Sequence, residues 1–242
     1  MKTLSIFILS LVTGMLAAQT PVTKSFATKS GQKIIFQFDY PELIKVSTWE
    51  KNEIGITGTV SINGGENDDA FEITQSPSGN ALIIEGRVKN IKQLPHRYTI
   101  NRGEEKVTFK TLEDFEKYKK DHGRDFSFTS TGVDIDITLE IKVPRNMETK
   151  IEAKYGIVEV RDFAGPLAVD ATYGGVDVVV QTKITGELIA ETGYGEIYSN
   201  LDVKFSGTDL GDFHTQVSVK PGTGPRYSFE SKYGNVYLRK PL

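Results

Sequence analysis

The sequence predicts an all-β protein, built as a right-handed parallel β-solenoid with one short helical insertion. Three observations support that fold class. Short runs rich in Val, Ile, Thr, Phe and Tyr alternate with turn-forming residues, and the 242 residues include 23 glycines. A Tyr-Gly block recurs with a period of about 20 residues, as in stacked repeats. Only one segment has the capping residues of a helix. The right-handedness of the solenoid follows from the general rule for crossovers between parallel strands.

The N-terminal strands lie within residues 20–90. Turn residues separate five candidates: KIIFQF (33–38), LIKVST (43–48), EIGITGTVSI (53–62), FEIT (71–74) and ALIIEGRV (81–88). Further on, VDIDITLEIKV (133–143) alternates apolar and polar residues throughout. We therefore expect that strand to have one buried and one wet face and to end at Pro144.

One helix is predicted in an irregular insertion at 91–125. Thr111 is placed to cap it, and Asp114 follows three residues later, as in a capping box. Gly123 is placed to end it. Acidic residues in the first turn and lysines in the later turns suit the helix dipole.

The segment 126–242 contains the rung repeats. Four blocks align on Tyr155, Tyr173, Tyr194 and Tyr233, each followed by glycine. An apolar residue lies four positions before each tyrosine, and a small residue lies two before. Strand alternation predicts that these two and the tyrosine point inward, and that the tyrosines form a ladder. A corner at the glycine, which tolerates a positive φ, leads into a second strand. A weaker rung is predicted around Leu210 and Gly211.

Residues 1–19 have the pattern of a signal peptide. Lys2 precedes the apolar run LSIFILSLVTGMLAA, and Ala17-Ala18-Gln19 offers small residues for cleavage. The run is shorter than the ~20 residues of a membrane span. We expect an exported mature chain without a transmembrane segment, residues 20–242 forming one domain. Its location would be the periplasm, the cell surface or the medium.

Composition excludes several classes of site. The chain has no cysteine, so it has no disulfide, zinc–cysteine site, thiol nucleophile or lipoprotein anchor. Its net charge of −3 gives no basis for nucleic-acid binding. No cofactor is predicted, and the oligomeric state is left open.

The sharpest site candidate is a column of one acid per block, three residues before each tyrosine. The column contains Glu152, Asp170, Glu191 and Glu230. On adjacent strands these carboxylates would lie ~4.8 Å apart. Their repulsion needs relief by water, by Lys154 and Lys232, or by a bound cation such as calcium. An ordinary solvated face is the alternative. The identity of any metal is left open.

Other candidates are weaker. Tyr198 and Tyr237 are predicted to point outward, where they offer aromatic contacts to a ligand. Asp134 and Asp136, with Glu140, are paired carboxylates as in glycoside hydrolysis, but the wet face of a strand gives the same pattern. The remaining polar candidates are the loop acids Glu66, Asp68 and Asp69, which fit a polar turn, and the scattered His96, His122 and His214. No catalytic residue is predicted.

IKVSTWEKNEIGI (44–56), DIDITLEIKVPRNMETKIEAKYGIVEV (134–160) and the Tyr-Gly blocks resemble the exported putative-adhesin domain family of bacterial envelopes. The resemblance covers about residues 25–240 and implies a β-solenoid without assigned active-site residues. We therefore predict a non-enzymatic, adhesin-like interaction protein whose partner is an unknown polymer or envelope protein. The alternatives are a polysaccharide-cleaving β-helix enzyme and an envelope-stress or assembly component that binds another envelope protein.

Overall fold

The structure is a computed structural model that describes residues 19–103, 105–123, 128–209 and 213–241. Within these residues the chain forms two large β-sheets, a small third sheet and one α-helix. The predicted signal peptide up to residue 18, and Leu210 and Gly211 of the weak rung, lie outside them.

The first large sheet has eight strands among the described residues. Their spatial order is β1 (Thr20–Ala27), β4 (Glu53–Ile62), β10 (Ile135–Pro144), β3 (Leu43–Trp49), β12 (Ile157–Val160), β14 (Val176–Val179), β20 (Val236–Arg239) and β16 (Ile197–Ser199).

The second large sheet has nine strands in the same described ranges. Their order is β17 (Ser206–Asp209), β18 (Thr215–Val219), β15 (Glu187–Thr192), β19 (Arg226–Ser231), β13 (Leu167–Ala171), β11 (Thr149–Ala153), β2 (Lys33–Phe38), β6 (Ala81–Val88) and β5 (Phe71–Ser78).

Alternate residues of both large sheets form one hydrophobic core. On β10, four alternate residues are fully buried, namely Ile137, Leu139, Ile141 and Val143, which confirms the predicted buried face of that strand. The core also contains alternate residues of β2 in the nine-stranded sheet, such as Ile34 and Phe36. Burial of each such side chain contributes about 1.5–3 kcal/mol before conformational entropy is subtracted.

The N-terminal strand predictions are confirmed, since β2, β4 and β6 have the predicted bounds and β3 and β5 extend beyond theirs. Both β2 and β3 pair in parallel with strands of the repeat segment, β11 and β12. The sequence patterns did not reveal the edge strand β1 or the hairpin of β17 and β18. The N-terminal strands and the repeat segment thus share both large sheets.

The insertion contains the predicted helix, α1 (Leu112–His122), packed on a three-stranded antiparallel sheet. That sheet has the order β8 (Glu105–Phe109), β7 (Arg97–Arg102) and β9 (Phe128–Gly132). The Thr111 cap is confirmed, because its hydroxyl accepts from the Asp114 N–H at 3.1 Å. The Asp114 carboxylate accepts from the Thr111 hydroxyl at 2.7 Å, rather than from the Thr111 N–H as in a full capping box. Phe115 is the buried residue of the helix and packs near Tyr98.

The prediction of a right-handed parallel β-solenoid is wrong, although the all-β class with one helix is confirmed. Both large sheets are mixed: β4 is antiparallel to β1 and β10, β5 to β6, and β18 to β15 and β17. A solenoid stacks its turns in chain order, whereas β19, the last repeat strand, lies between β13 and β15. The repeat pattern fixes which residues face inward in each strand, but it does not fix which strand is the neighbour.

No helix among the described residues is long and apolar enough to cross a membrane.

Candidate functional site

The four repeat blocks each supply a strand to the nine-stranded sheet in a common register. Ile151 pairs with Val169, which pairs with Phe229, which pairs with Ala190. These residues and the small residues two positions later are buried, so the predicted inward positions are confirmed for both sets. The small residues are Ala153, Ala171, Thr192 and Ser231.

The repeat tyrosines point outward, so the prediction that they face inward is wrong. Each strand ends two residues before its tyrosine, at Ala153 in the first block, and the chain then bends. Strand alternation therefore no longer sets the direction of the tyrosine. The four tyrosine side chains are between 40% and 63% exposed.

The tyrosines nevertheless form the predicted ladder. The Tyr173 N–H donates to the Lys154 carbonyl at 2.9 Å, and the Tyr233 N–H to the Thr172 carbonyl at 3.0 Å, which sets successive tyrosines one strand apart. The ring centroids of Tyr155 and Tyr173 are 5.3 Å apart, and those of Tyr173 and Tyr233 are 5.1 Å apart. Tyr233 and Tyr194 are also separated by 5.1 Å, with nearly parallel planes.

Two further rings extend the ladder beyond the Tyr-Gly blocks. The Tyr40 ring lies 5.8 Å from Tyr155 at one end, and the Phe213 ring lies 6.0 Å from Tyr194 at the other. We call these six rings the aromatic stack. In spatial order it contains Tyr40, Tyr155, Tyr173, Tyr233, Tyr194 and Phe213.

Tyr40 belongs to a fifth copy of the block that sequence alignment missed. Phe36 and Phe38 precede it at the inward positions, and they pair with Ile151 and Ala153. The copy lacks the Tyr-Gly pair that defines the other blocks, because Pro41 stands where they have glycine. A search for the apolar residues before the tyrosine, without the glycine, would have found it.

The glycine of each block is required mainly because neighbouring backbones approach closely at the corner. A Cβ on Gly174 would lie 1.4 Å from the Gly156 carbonyl oxygen, a distance that no side chain tolerates. Only Gly156 among the four block glycines has the predicted positive φ, at 78°. The Tyr-Gly pair thus has a structural explanation: glycine closes the corner, and the corner turns the tyrosine outward.

The predicted acidic column is present. Glu152 pairs with Asp170, Asp170 with Glu230, and Glu230 with Glu191 along four adjacent strands. Lys150 Nζ relieves the repulsion at one end, at 2.8 Å from carboxylate oxygens of both Glu152 and Asp170. The two lysines predicted for this role, Lys154 and Lys232, lie instead beside the tyrosine rings.

Hydrogen bonds from neighbouring side chains also engage carboxylates of the acidic column. The Gln37 side-chain amide donates to Glu152 at 2.8 Å. Glu191 lies 2.6 Å from His214 Nε2 and accepts from the Gln216 amide at 2.7 Å. Burial alone would raise the pKa of Glu152, but its bonds to Lys150 and Gln37 and the lysine charge outweigh burial and lower that pKa.

Glu230 differs from the other three acids. Among the described residues, no side chain donates a hydrogen bond or an ion pair to its carboxylate, which lies between Asp170 and Glu191. Partial burial, followed by the charges of those two neighbours, raises the pKa of Glu230. No group of three or more His, Cys, Asp or Glu residues in the described ranges is arranged to hold a metal ion.

Tyr198 and Tyr237 form a separate two-ring stack on the eight-stranded sheet. Their centroids are 5.1 Å apart, and Tyr198 is 45% exposed, while Tyr237 is half-buried. The Tyr198 hydroxyl donates to Glu196, and the Asn235 amide donates to the Tyr237 hydroxyl at 3.1 Å. Their hydroxyls are therefore already engaged within the protein.

Apart from Asp69, whose carboxylate has no hydrogen-bond or ion-pair partner within the described residues, the other predicted carboxylates have structural partners. Asp134 lies 2.6 Å from Lys106 Nζ, and Glu140 lies 3.2 Å from Lys142 Nζ. The partners of the remaining acids are Gln19 for Asp136, the Ile62 N–H and Thr20 hydroxyl for Asp68, and Arg97 and Lys110 for Glu66. The histidines are not brought together: His122 stacks on Tyr118, His214 joins the acidic column, and His96 lines a cleft.

Two clefts adjoin the aromatic stack. One of 690 Å³ lies at its Tyr40 end, where Tyr40 and Tyr155 face the three-stranded sheet across Lys92, His96 and Asp134. The second, of 530 Å³, lies between the stack and the acidic column and is lined by ten residues: Gln37, Phe38, Asp39, Arg87, Glu152, Ala153, Lys154, Asp170, Thr172 and Tyr173.

These observations define an all-β protein of two mixed sheets with an exposed row of stacked aromatic rings at one corner of its repeat strands. No protein-family model and no curated protein matches the sequence. One solved structure, described as a "putative cell adhesion protein" from Clostridium sporogenes, matches 93% of this chain and all of its own, with 11% identity and a TM-score of 0.50.

A second solved structure is a "putative adhesin" from Bacteroides fragilis, with 12% identity over 93% of this chain and 99% of that one. Its TM-score of 0.20 does not define a common fold. The first similarity, at 11% identity, is evidence for the fold alone.

Proposed function

We propose that this chain is an exported, non-enzymatic, adhesin-like protein of the cell envelope or surface, and that the aromatic stack is the surface by which it holds an extended polymer. The observation that carries the proposal is the stack itself. Five of the six aromatic rings are exposed, and the sixth, Tyr40, is half-buried, although soluble proteins rarely leave contiguous apolar surface open without a partner. Tyrosine combines an apolar ring with a polar hydroxyl, which suits a binding surface.

Two further points support binding by an adhesin-like protein. The fold is similar to that of a solved structure described as a "putative cell adhesion protein", and the sequence resembles the exported putative-adhesin domain family. A row of regularly spaced aromatic rings is also suited to a polymer, because successive units of the polymer meet similar groups. We propose export because of the signal-peptide pattern in residues 1–19.

We favour binding over polysaccharide cleavage because of how the carboxylates of the two clefts are paired. In the second cleft, Glu152 and Asp170 share Lys150 Nζ, which leaves Asp39 as the carboxylate without an ion pair among the described lining residues. The cleft at the Tyr40 end has fewer acids. Among the described residues that line it, Asp134 is the only carboxylate, and it is paired with Lys106. Glycoside hydrolysis generally uses two carboxyl groups that flank the scissile bond.

The test is a glycan array probed with residues 20–242, in which every bound polysaccharide is then checked for loss of chain length. We expect binding without shortening. Tyr173→Ser and Tyr233→Ser, in the middle of the stack, should each weaken binding by roughly tenfold, from lost ring contacts worth about 1.4 kcal/mol. The matched control is Phe128→Ser, because Phe128 is 59% exposed and lies outside the stack.

A shortened polysaccharide would refute the non-enzymatic assignment. Equal effects of the stack variants and of Phe128→Ser, with all variants folded by circular dichroism, would refute the stack as the binding surface.

A further inference from the structure

We propose that the polymer is a linear polysaccharide that carries a negative charge on alternate sugar units, and that Lys154 and Lys232 select it. The proposal rests on the proposed function and specifies its ligand. The polymer would lie along the aromatic stack and cross the strands, so that one sugar unit meets one rung.

The stack offers ring edges and hydroxyl groups rather than ring faces. The planes of Tyr173 and Tyr233 differ by only 5°, and Tyr173 has a second ring stacked on its other side. A ligand that needs a free aromatic face therefore has no place within the stack. Among the described residues, none hydrogen-bonds to the hydroxyl of any of the five stacked tyrosines: Tyr40, Tyr155, Tyr173, Tyr194 and Tyr233. Each hydroxyl can donate one hydrogen bond and accept others, which suits a polymer that has hydroxyls on every unit.

Two cations border the stack on alternate rungs. Lys154 Nζ lies 5.5 Å from the Tyr155 ring centroid, and Lys232 Nζ lies 5.4 Å from that of Tyr233. Neither lysine forms an ion pair with a carboxylate in the described part of the chain. Lysine charges that lie beside aromatic rings, and that have no carboxylate partner within the described residues, are suited to anionic groups of a ligand.

The rung between the two lysines is neutral, because Thr172 precedes Tyr173. The Thr172 N–H donates to the Ala153 carbonyl and the Lys232 N–H to the Ala171 carbonyl, so Lys154 and Lys232 are two strands apart. Two strand spacings are about 10 Å, which is close to the length of a disaccharide in an extended chain. A polymer with one anionic sugar in each disaccharide would therefore place successive charges at successive lysines.

A polymer charged on every unit fits less well. Its extra charges would lie at the neutral Thr172 rung and beside Asp39, which precedes Tyr40 on the rung next to Lys154. Nucleic acids have this uniform charge pattern as well, since every nucleotide has a phosphate. The alternation of charge, rather than total charge, is the feature that the surface would recognise.

The acidic column two residues away does not cancel these lysines. Lys150 is shared by Glu152 and Asp170, and His214 and Gln216 engage Glu191. Glu230 is left as a carboxylate without a donor among the described residues, and it forms no ion pair with Lys232, which follows it two residues later. Three of the four carboxylates of the column thus have partners within the protein.

The experiment measures the affinity of residues 20–242 for oligosaccharides of equal length by isothermal titration calorimetry. The three sugar probes are hyaluronan, with a carboxylate on alternate sugars, oligogalacturonate, with one on every sugar, and a neutral cello-oligosaccharide. A single-stranded oligonucleotide is the fourth probe. We expect hyaluronan to bind most tightly. Lys154→Gln and Lys232→Gln should each reduce its affinity by roughly threefold to fivefold, as for a partly exposed ion pair. Neither change should alter the affinity for the neutral probe.

The matched controls are Lys24→Gln and Lys183→Gln, which remove the same charge at exposed positions away from the stack. Tighter binding of oligogalacturonate or of a single-stranded oligonucleotide would overturn the alternating-charge proposal. So would equal binding of all three sugars that is insensitive to Lys154 and Lys232. In either case, binding that still depends on Tyr173 would leave the proposed function standing. Loss of that dependence as well would overturn both proposals.

Discussion

The aromatic stack and the acidic column arise from the same repeat and cross the same strands. They differ in how many of their polar groups have hydrogen-bond or ion-pair partners within the protein. Three of the four acids have a lysine, histidine or amide partner within the chain, and the fourth, Glu230, is the exception. The stacked tyrosines contact one another's rings, and two of them a lysine, but the described residues leave their hydroxyls without partners. A repeated motif can therefore hold one column whose polar groups are mostly paired within the protein and another whose hydroxyl groups are not paired within the described residues. Repetition alone does not mark the binding surface.

Both columns depend on the glycine corner, so a change there should have the largest effect. Gly174→Ala would place a methyl group 1.4 Å from the Gly156 carbonyl oxygen, and the two corners would have to separate. We expect the free energy of unfolding to fall by about 3 kcal/mol. Urea denaturation measures it.

Gly132→Ala is the matched control for that change. Within the described residues, apart from Gly132 and its two chain neighbours, no atom lies within 4 Å of the position that a Cβ would take at Gly132, and its φ is not positive. A Gly174→Ala variant that loses no more stability than Gly132→Ala would show that backbone contact between the corners does not fix the two columns.

The second prediction separates stability from binding within the aromatic stack. Tyr173 has a ring on each side, whereas Tyr198 has one stacked neighbour. Tyr173→Ala should lower the free energy of unfolding by about 1 kcal/mol, because stacked pairs contribute roughly 0.5–1.5 kcal/mol beyond burial. A double-mutant cycle between Tyr173 and Tyr233 should return a coupling energy of that order.

Tyr198→Ala is the comparison for Tyr173→Ala, and it should lower the free energy of unfolding by less. A coupling energy of zero between Tyr173 and Tyr233 would mean that the rings are aligned by the backbone alone. The stack would then be an open surface that adds nothing to folding.

The residues that follow strand alternation could be predicted from the sequence, and those at the bends could not. Ile151 and Ala153 face inward as expected, because they lie within a regular strand. Tyr155 lies past the strand end, where alternation no longer applies. The alignment of Glu152 with Asp170 followed from the repeat. The ion pair between Glu152 and Lys150 depends on side-chain rotamers, which a repeat does not encode. The order of the strands depends on pairing between residues that are far apart in the sequence, and the period of a local repeat does not predict that pairing.

The smallest expected change in stability comes from the acidic column, where Glu152 and Glu230 should affect stability in opposite directions. The pKa of Glu152 is lowered in the folded protein, so its carboxylate stabilises the fold above its unfolded pKa of about 4.3, and that stability is lost as the pH falls. The pKa of Glu230 is raised, mainly by burial and then by Asp170 and Glu191. Its contribution is therefore present below about pH 4.3 and is lost as the pH rises through the folded value.

Replacement by glutamine should thus act with opposite sign at the two positions. At neutral pH, Glu152→Gln should destabilise the protein and Glu230→Gln should stabilise it, each by about 0.5 kcal/mol or less, because both side chains are partly exposed. Urea denaturation at neutral pH and near pH 3 measures both differences, which should shrink at the lower pH as the carboxylates become protonated. Destabilisation by Glu230→Gln at neutral pH would mean that this carboxylate has a favourable partner, such as a bound cation. The acidic column would then be a binding surface in its own right, and its contrast with the aromatic stack would no longer hold.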